Sequence, residues 1–219
     1  MCIRYQKSDQ LLKYSDVLGA WLGYDDESPL GDIYPDFAAP TVTPKWARAG
    51  RSHDREVGVM KFGLLRTWKT KDRVETKLLH NARSETVHTK DAFKEAFRKR
   101  RCIVPASAFF EQFEKRWVRF RASEETIFMA GIFEGSEAGM ERFSVLTTEP
   151  NSLVAPVQDR MPALLSLSEV DAWLDPGARE NNLLDLLRPS PDEWLIREDA
   201  GSNSRKRSDS ADHLGGLFA

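Results

Sequence analysis

The chain has 219 residues, of which 41% are hydrophobic and 30% are charged, a balance typical of a globular protein with a substantial core. It contains no apolar run long enough for a transmembrane helix, and its first residues lack the pattern of a signal peptide. Two cysteines are too few for a disulfide framework, and the four histidines lack metal-ligand spacing. We therefore expect a monomeric cytoplasmic protein with no metal and no other cofactor.

The formal net charge is −2, so the chain is not basic as a whole. This charge weighs against a nucleic-acid partner without excluding one, because a local cationic groove can bind phosphates. Basic residues do cluster, once within 66–73 and once within 98–101. Solvated surface faces are the simpler interpretation of either cluster taken alone.

Gly, Asp and Pro are frequent in residues 19–40, which we predict as loops. Short runs of β-branched and aromatic residues, bounded by turn formers, then predict strands. These runs lie at residues 57–65, 101–110, 116–120, 126–133 and 142–147.

Helical signals are fewer, and they lie at residues 91–99, 168–174 and 179–187. In the first segment, Phe93, Ala96 and Phe97 share one helical face, and the charge order suits the helix dipole. In the second, Ser168 and Asp171 have the spacing of a capping box, although Asp is not its usual third partner.

The order of these elements predicts an α+β fold: a single domain built on curved, mainly antiparallel, barrel-like β-sheet with peripheral helices. We place this domain at residues 1–199. Residues 200–219 contain little that could be buried, and we expect a disordered tail there.

Cys2 directly follows the initiator methionine. Removal of Met1 would leave an amine and a thiol on adjacent carbons, with the amine at a reference pKa of about 7.7–8.0 and partly neutral near neutral pH. An aldehyde would give a Schiff base with this amine, and the thiol could then close a thiazolidine ring. The same group could instead act as a hydrolytic nucleophile. A residue without chemistry at position 2 is the simpler interpretation of Met-Cys alone.

Three further segments carry chemically useful residues, and each also has a purely structural interpretation. Asn81 begins a run that joins an amide, a guanidinium and a carboxylate, but it could simply cap a turn. Glu111 ends an apolar run, where partial desolvation would raise its pKa toward a useful acid/base value; it could also be an exposed strand end. Arg160 follows Asp159 and could simply pair with it.

Taken in order, the motifs resemble those of the SOS-response-associated peptidase family, also called abasic-site processing proteins. They are Met1-Cys2-x-Arg4, Ala39-Pro40-Thr41, Phe62-Gly63-Leu64 with Trp68, Asn81-Ala82-Arg83-x-Glu85-Thr86, Arg101-Cys102-Ile103-Val104-Pro105, Phe110-Glu111, Phe128-Met129-Ala130-Gly131-Ile132, Leu146-Thr147-Thr148 and Asp159-Arg160-Met161-Pro162. No single motif is decisive, but the ordered set, spread over residues 1–175, is specific.

The resemblance implies covalent capture of an abasic site in single-stranded DNA by a thiazolidine link, which shields the lesion in the DNA damage response. It implies that Cys2 is the nucleophile, that Asn81 positions the amine or the opened sugar, and that Glu111 is the general acid/base that also assists Met1 removal.

The resemblance also implies contacts to DNA. The residues expected to hold phosphates are Arg4, Arg83 and Arg160. Pro40 and Trp68 would support a stacking surface, and Thr147 would make a further contact. Binding would place the protein on the nucleoid.

Departures from the family pattern occur at several positions, two of which bear directly on the chemistry. Gln158 stands where the family usually has a His that shuttles a proton, and Gln cannot titrate near neutral pH. We therefore expect a link that forms more slowly or is harder to reverse. Ile3 replaces a Gly beside Cys2 and could crowd the DNA.

Two alternatives remain open. One is a self-processing N-terminal-nucleophile cysteine hydrolase or peptidase, which turnover of a peptide or amide without DNA would favour. The other is a non-catalytic module that binds single-stranded DNA. Retained DNA affinity without a covalent product would favour that module.

Overall fold

The computed structural model describes residues 3–8, 20–22, 31–44, 55–70, 73–136 and 139–202. Within these residues the strands are β1 (Arg4–Lys7), β2 (Ala20–Leu22), β3 (Asp32–Ile33), β4 (Ala38–Pro44), β5 (Arg55–Phe62), β6 (Leu64–Lys69), β7 (Val74–Leu79), β8 (Asn81–Arg83), β9 (Arg101–Phe113), β10 (Arg116–Ala122), β11 (Ile127–Ser136), β12 (Gly139–Thr148), β13 (Met161–Pro162), β14 (Leu164–Leu165) and β15 (Leu195–Ser202). The helices are α1 (Lys94–Lys99), α2 (Leu167–Leu174) and α3 (Glu180–Asp185), and a 3-10 turn spans Asp192–Trp194.

Five strands close into a ring in the order β4, β5, β12, β11, β9 and back to β4. Only the β5–β12 pairing in this ring is parallel. The predicted curved, mainly antiparallel sheet with peripheral helices is therefore confirmed. Closure pairs backbone groups that an open sheet would leave unpaired at its edges.

Side chains of β9, and of β11 from Ile127 to Phe133, are buried on both faces, which explains the nearly continuous apolar sequences of these strands. In β9, Cys102 and Val104 point into one core cluster with Phe109, Phe120 and Met129. The intervening Ile103 belongs to a second cluster, which includes Trp173 of α2. Successive side chains of this one strand therefore pack into two cores, one inside the barrel and one under the helices.

One rim of the barrel gathers the start of β4, the end of β5 and the last third of β9. Ala38 pairs with Lys61. Because β4 runs antiparallel to β9 from the Val42–Ile103 pair, its start lies toward the end of β9 that carries Glu111. We call this end, marked by Ala38, Phe62 and Glu111, the site rim.

Gly63 directs the chain from β5 into the separate β6–β7 hairpin. Its φ of 106° lies in the left-handed region, and a Cβ at this position would come within 2.6 Å of the Leu78 side chain. Glycine is therefore required here for both conformation and space.

Three expectations about elements need correction. Residues 19–40, predicted as loops, contain β2, β3 and the start of β4. Helix α2 is capped by Ser166 and Glu169 rather than by Ser168 and Asp171. The Glu169 carboxylate accepts the Ser166 backbone N–H at 2.8 Å, a reach for which Glu is better suited than Asp.

Strand β15 pairs with β10 as far as Ser202, so ordered structure extends past residue 199 into the segment predicted as a tail. Residues 203–219 lie outside the described residues. Within the described part of the chain, no helix is long and apolar enough to cross a membrane.

Candidate functional site

Glu111 lies near the end of β9 and is only 2% exposed. The Gln158 side chain, in the loop before β13, donates from Nε2 to Glu111 Oε2 at 3.2 Å. Burial raises the pKa of Glu111 above its ordinary value, although the hydrogen bond from Gln158 acts in the opposite direction. A buried carboxyl with a raised pKa is better suited to donate a proton, and a general acid/base is the role predicted for Glu111 from the sequence.

The chain enters β1 beside this carboxyl. In the β1–β9 register, Arg4 pairs with Phe110 and Tyr5 with Phe109. One step further along this antiparallel register leads from Ile3 to Glu111. Ile3 is 36% exposed, so it borders solvent at this point. Cys2 and Met1 lie outside the described residues.

Strand β8 carries the predicted amide and guanidinium. Asn81 pairs with Val145 and Arg83 with Thr147 in parallel register with β12. The Asn81 side chain is half-buried, whereas Arg83 is exposed. Thr147 is fully buried, and its hydroxyl donates to the Ala82 carbonyl at 3.4 Å. The Thr147 side chain therefore points into the protein and bonds to β8, and it does not face solvent.

Arg160 holds the segment after β8 in place. Its guanidinium donates to both Glu85 carboxylate oxygens, at 2.5 and 3.0 Å, and to the Thr147 carbonyl at 2.5 Å. Arg160 itself is 8% exposed. The residue predicted to pair with Asp159 or to bind phosphate thus forms a fork with Glu85.

Arg4 sits in an aromatic cage. Its guanidinium carbon lies 4.0 Å from the Phe110 ring centroid, 4.9 Å from that of Trp117 and 5.9 Å from that of Tyr34. Its Nε and one terminal nitrogen donate to one Asp32 oxygen at 2.8 and 2.5 Å. This partner could not be predicted from the sequence, because Asp32 is remote in the chain and is brought to β1 by the short β3 pairing.

The two predicted stacking residues lie in different surroundings. Pro40 is buried in β4, opposite Val59. Trp68 is 42% exposed in the β6–β7 hairpin, opposite Glu75. Of the pair, Trp68 alone offers an exposed ring.

His80 is a titratable neighbour of the site that the sequence analysis did not select. It immediately precedes Asn81, and its ring meets Phe62 edge-on at 6.0 Å. Burial lowers the pKa of His80, which favours the neutral imidazole. Its position next to the Asn81 motif was the signal that could have identified it.

No cluster of three or more His, Cys, Asp or Glu side chains with the geometry of a metal site occurs among the described residues. The site chemistry available there consists of a buried carboxyl, two amides and several guanidiniums.

These features define a class of protein: a closed β-barrel that gathers a buried carboxyl, amides and arginines where the chain enters its first strand. The chain belongs to the SOS response associated peptidase (SRAP) family, whose family model matches residues 1–199.

Named relatives and a solved structure agree with this membership. The chain is 27% identical over 189 residues to the abasic site processing protein YoaM of Bacillus subtilis (strain 168), covering 80% of each chain. It is 29% identical over 201 residues to the abasic site processing protein YoqW of the same organism, covering 86% of this chain and 87% of the relative. A crystal structure of a protein from Bacteroides thetaiotaomicron superposes with a TM-score of 0.72 at 25% identity, covering 90% of this chain and 91% of the other.

Proposed function

We propose that this protein captures abasic sites in single-stranded DNA through a covalent thiazolidine link to Cys2, which becomes the terminal residue when Met1 is removed. Relatives that span most of the chain are named abasic site processing proteins. The named activity therefore supports the choice of substrate, and the chemistry follows from the residues at the site rim.

The observation that carries the proposal is the register of β1 on β9. Arg4 opposite Phe110 leads the chain toward Glu111, a buried carboxyl with a raised pKa. Cys2 directly precedes Ile3, whose place in this register is opposite Glu111. An aminothiol at this place would have an acid/base group within reach.

The reaction balances with one water released. The Cys2 amine adds to the aldehyde carbon of the ring-opened sugar and forms a carbinolamine. Glu111 in its acid form protonates the carbinolamine hydroxyl, which leaves as water and gives the Schiff base. The protonated Schiff base then accepts the Cys2 sulfur at its carbon, while the Glu111 carboxylate takes the thiol proton and so returns to its acid form. A raised pKa suits Glu111 to both steps.

Removal of Met1 uses the same carboxyl in this proposal. Glu111 as a base would accept a proton from the water that attacks the Met1 carbonyl and would return it to the departing Cys2 amine, so that free methionine is released. Both the peptidase step and the capture step thus depend on one buried acid.

The other residues position the substrate. Asn81 would orient the Cys2 amine or the opened sugar, and Gln158 would hold Glu111 through its 3.2 Å hydrogen bond. Arg83 is exposed and can meet a phosphate directly. Arg4 is already paired with Asp32, and Arg160 with Glu85. Each of these arginines would therefore bind a phosphate by sharing its carboxylate partner or by exchanging it. Thr147 would act through Arg160.

Denaturing gel electrophoresis with an oligonucleotide that carries one abasic site tests the proposal. We expect a covalent product with the wild-type protein and with Cys102→Ala, since Cys102 is buried in β9. We expect none with Cys2→Ala, and an intact mass without Met1 for the reactive wild type. Retained Met1 on a protein that forms the product, or a product with Cys2→Ala, would overturn the mechanism. Binding without any product would favour a non-catalytic module, and turnover of a peptide without DNA would favour a cysteine hydrolase.

A further inference from the structure

Phe37 presents an aromatic ring that the proposed chemistry does not use. It is 54% exposed, and it lies in the turn between β3 and β4. Its ring meets Tyr34 edge-on, with centroids 5.7 Å apart. Two aromatic side chains therefore support each other at the surface, with one ring open to solvent.

The turn that carries Phe37 is held firmly. Asp36 adopts a φ of 73°, and its N–H donates to the Phe62 carbonyl at 2.7 Å. The Phe62 N–H returns a bond to the Phe37 carbonyl at 2.9 Å. Arg142 then joins the Asp36 carboxylate, at 2.6 Å, to the Gly63 carbonyl, at 2.5 Å. A ring on such a turn is already ordered and loses little further entropy when it binds a partner.

Phe37 lies at the site rim. Its neighbours along the chain and in register, Ala38 and Phe62, are two of the residues that define this rim. A chain of contacts leads inward from it: Phe37 to Tyr34, Tyr34 to the Arg4 guanidinium at 5.9 Å, and that guanidinium to Phe110 at 4.0 Å. Phe110 directly precedes Glu111. The contacts from Phe37 to Phe110 are three steps of 4.0–5.9 Å, a path comparable to a few nucleotides at about 3.4 Å per stacked base.

Cations lie beside the rings. Asp36 accepts Arg142 and also has the Lys61 ammonium at 3.9 Å, so two cations share one carboxylate. The Lys61 side chain is 40% exposed. The hydrogen bond from Arg142 lowers the pKa of Asp36, which keeps this carboxylate charged and the cations in place. An exposed ring with a neighbouring exposed cation is the combination that binds single-stranded nucleic acid, the ring by stacking and the cation by phosphate attraction.

We propose that Phe37, supported by Tyr34 and accompanied by Lys61, is a stacking platform for a base that flanks the captured abasic site. This inference rests on the proposed function for the identity of the strand, and it adds a specificity-determining contact outside the reacting groups. The platform stacks any base, so it recognises the presence of a base near the lesion rather than its identity.

Fluorescence anisotropy with a labelled, undamaged single-stranded oligonucleotide tests the platform without requiring covalent chemistry. We expect Phe37→Ala to weaken binding about 5- to 150-fold, the range that loss of one base–aromatic stack produces. Phe37→Trp should retain or strengthen binding. Leu167→Ala is the matched control, because it removes a comparably exposed apolar side chain, 40% exposed, at the start of α2.

A second series places a base-free tetrahydrofuran spacer at each position around a fixed abasic site. One spacer position should weaken binding of the wild type and leave Phe37→Ala unaffected, since the ring and the base then act as a pair. Equal affinities of wild type and Phe37→Ala for single-stranded DNA overturn the platform. It is also overturned if, at every position, the spacer weakens binding of the variant as much as it weakens binding of the wild type.

The two proposals can fail separately. A wild type that captures the lesion, together with a Phe37→Ala variant of unchanged affinity, removes the platform and keeps the capture function. Weakened oligonucleotide binding by Phe37→Ala, with no covalent product from the wild type, removes the capture function and keeps the platform. A folded wild type that does not bind single-stranded DNA removes both.

Discussion

Glu111 takes part in the proposed chemistry, and its protonation also affects the stability of the fold. The carboxyl is buried, so its charged form is disfavoured and its pKa is raised. A raised native pKa means that the folded protein binds a proton more tightly than the unfolded chain does. The associated stability is fully present below the unfolded pKa, and it is lost as the pH rises through the native pKa.

We therefore expect Glu111→Gln to change stability in a pH-dependent way. The amide carries no charge, and it can still accept the Gln158 hydrogen bond at its oxygen. Relative to wild type, the variant should gain stability as the pH is raised from 4 to 8, while its capture rate falls by about 10²- to 10⁴-fold, the usual contribution of an acid/base group. Urea unfolding across this pH range and single-turnover gels measure the two effects. Parallel pH–stability curves would show that Glu111 does not carry the shifted proton.

Gln158 allows a test of the opposite kind, in which a titratable group is added. Gln158→His would place an imidazole, with a reference pKa of about 6.5, beside Glu111. We expect faster formation or faster reversal of the link, with a new pH dependence near that value. Gln158→Ala is the control, since it removes the hydrogen bond without adding a proton carrier. If Gln158→His forms and releases the link at the wild-type rates, the expected effect of having Gln in place of the family His is refuted.

At the scale of elements, Arg101 joins two helices to the barrel. Its guanidinium donates to the carbonyls of Phe97 and Arg98 at the end of α1, at 2.9 and 2.8 Å. It also donates to those of Trp173 and Asp175 at the end of α2, at 2.7 and 2.6 Å. Carbonyls at helix ends lack partners within the helix, and one side chain supplies donors to both ends. Burial lowers the pKa of Arg101 to about 10, which still leaves it charged at neutral pH.

Arg101→Met should therefore destabilise the protein by about 3 kcal/mol, because it leaves several buried carbonyls without donors. Arg98→Ala is the control. Its ion pair with Glu180 is on the surface, with the Arg98 side chain 55% exposed, and its loss should cost about 0.5 kcal/mol or less. Urea denaturation measures both free energies of unfolding. Similar losses for the two variants would contradict the role of Arg101.

The sequence correctly predicted those strands whose local pattern of apolar residues results from burial. The strands around Ile103, Met129 and Val145 were located correctly because both faces of each strand are apolar. The short strands β2, β3 and β8 were not predicted, since each has only two or three residues and forms by pairing with a distant partner. Local propensity does not encode such pairings.

The same distinction between local sequence pattern and pairing of distant segments applies to the site. The burial of Glu111 followed from the apolar run that precedes it. The Asp32 partner of Arg4 and the Glu85 partner of Arg160 depend on how distant segments meet, and the sequence alone could not supply them. Phe37 was not singled out by the sequence, because the exposure of its ring depends on the turn between β3 and β4.

At the scale of the whole molecule, a net charge of −2 must be reconciled with a polyanionic partner. Many of the arginines are neutralised by ion pairs, among them Arg116 with Asp199 and Arg119 with Glu198 on the β10–β15 sheet. In the proposed function, attraction of DNA would therefore depend on a few cations at the site rim and not on a general positive field.

This distribution predicts a shallow salt dependence. Each phosphate contact to single-stranded DNA contributes a slope of about −0.7 to log K against log salt concentration, so two or three contacts give about −1.4 to −2. Arg83→Ala should reduce the slope by about 0.7, because this exposed guanidinium can meet a phosphate directly. Arg160→Ala should change the slope less, since Glu85 already holds that guanidinium, with the shorter contact at 2.5 Å. Arg98→Ala is the control and should leave the slope unchanged, because its surface pair with Glu180 lies beside the start of β9, at the opposite end of that strand from Glu111. Anisotropy titrations at four or more salt concentrations measure the slopes, and a steep wild-type slope that Arg83→Ala does not alter would mean that the strand follows a different path over the surface.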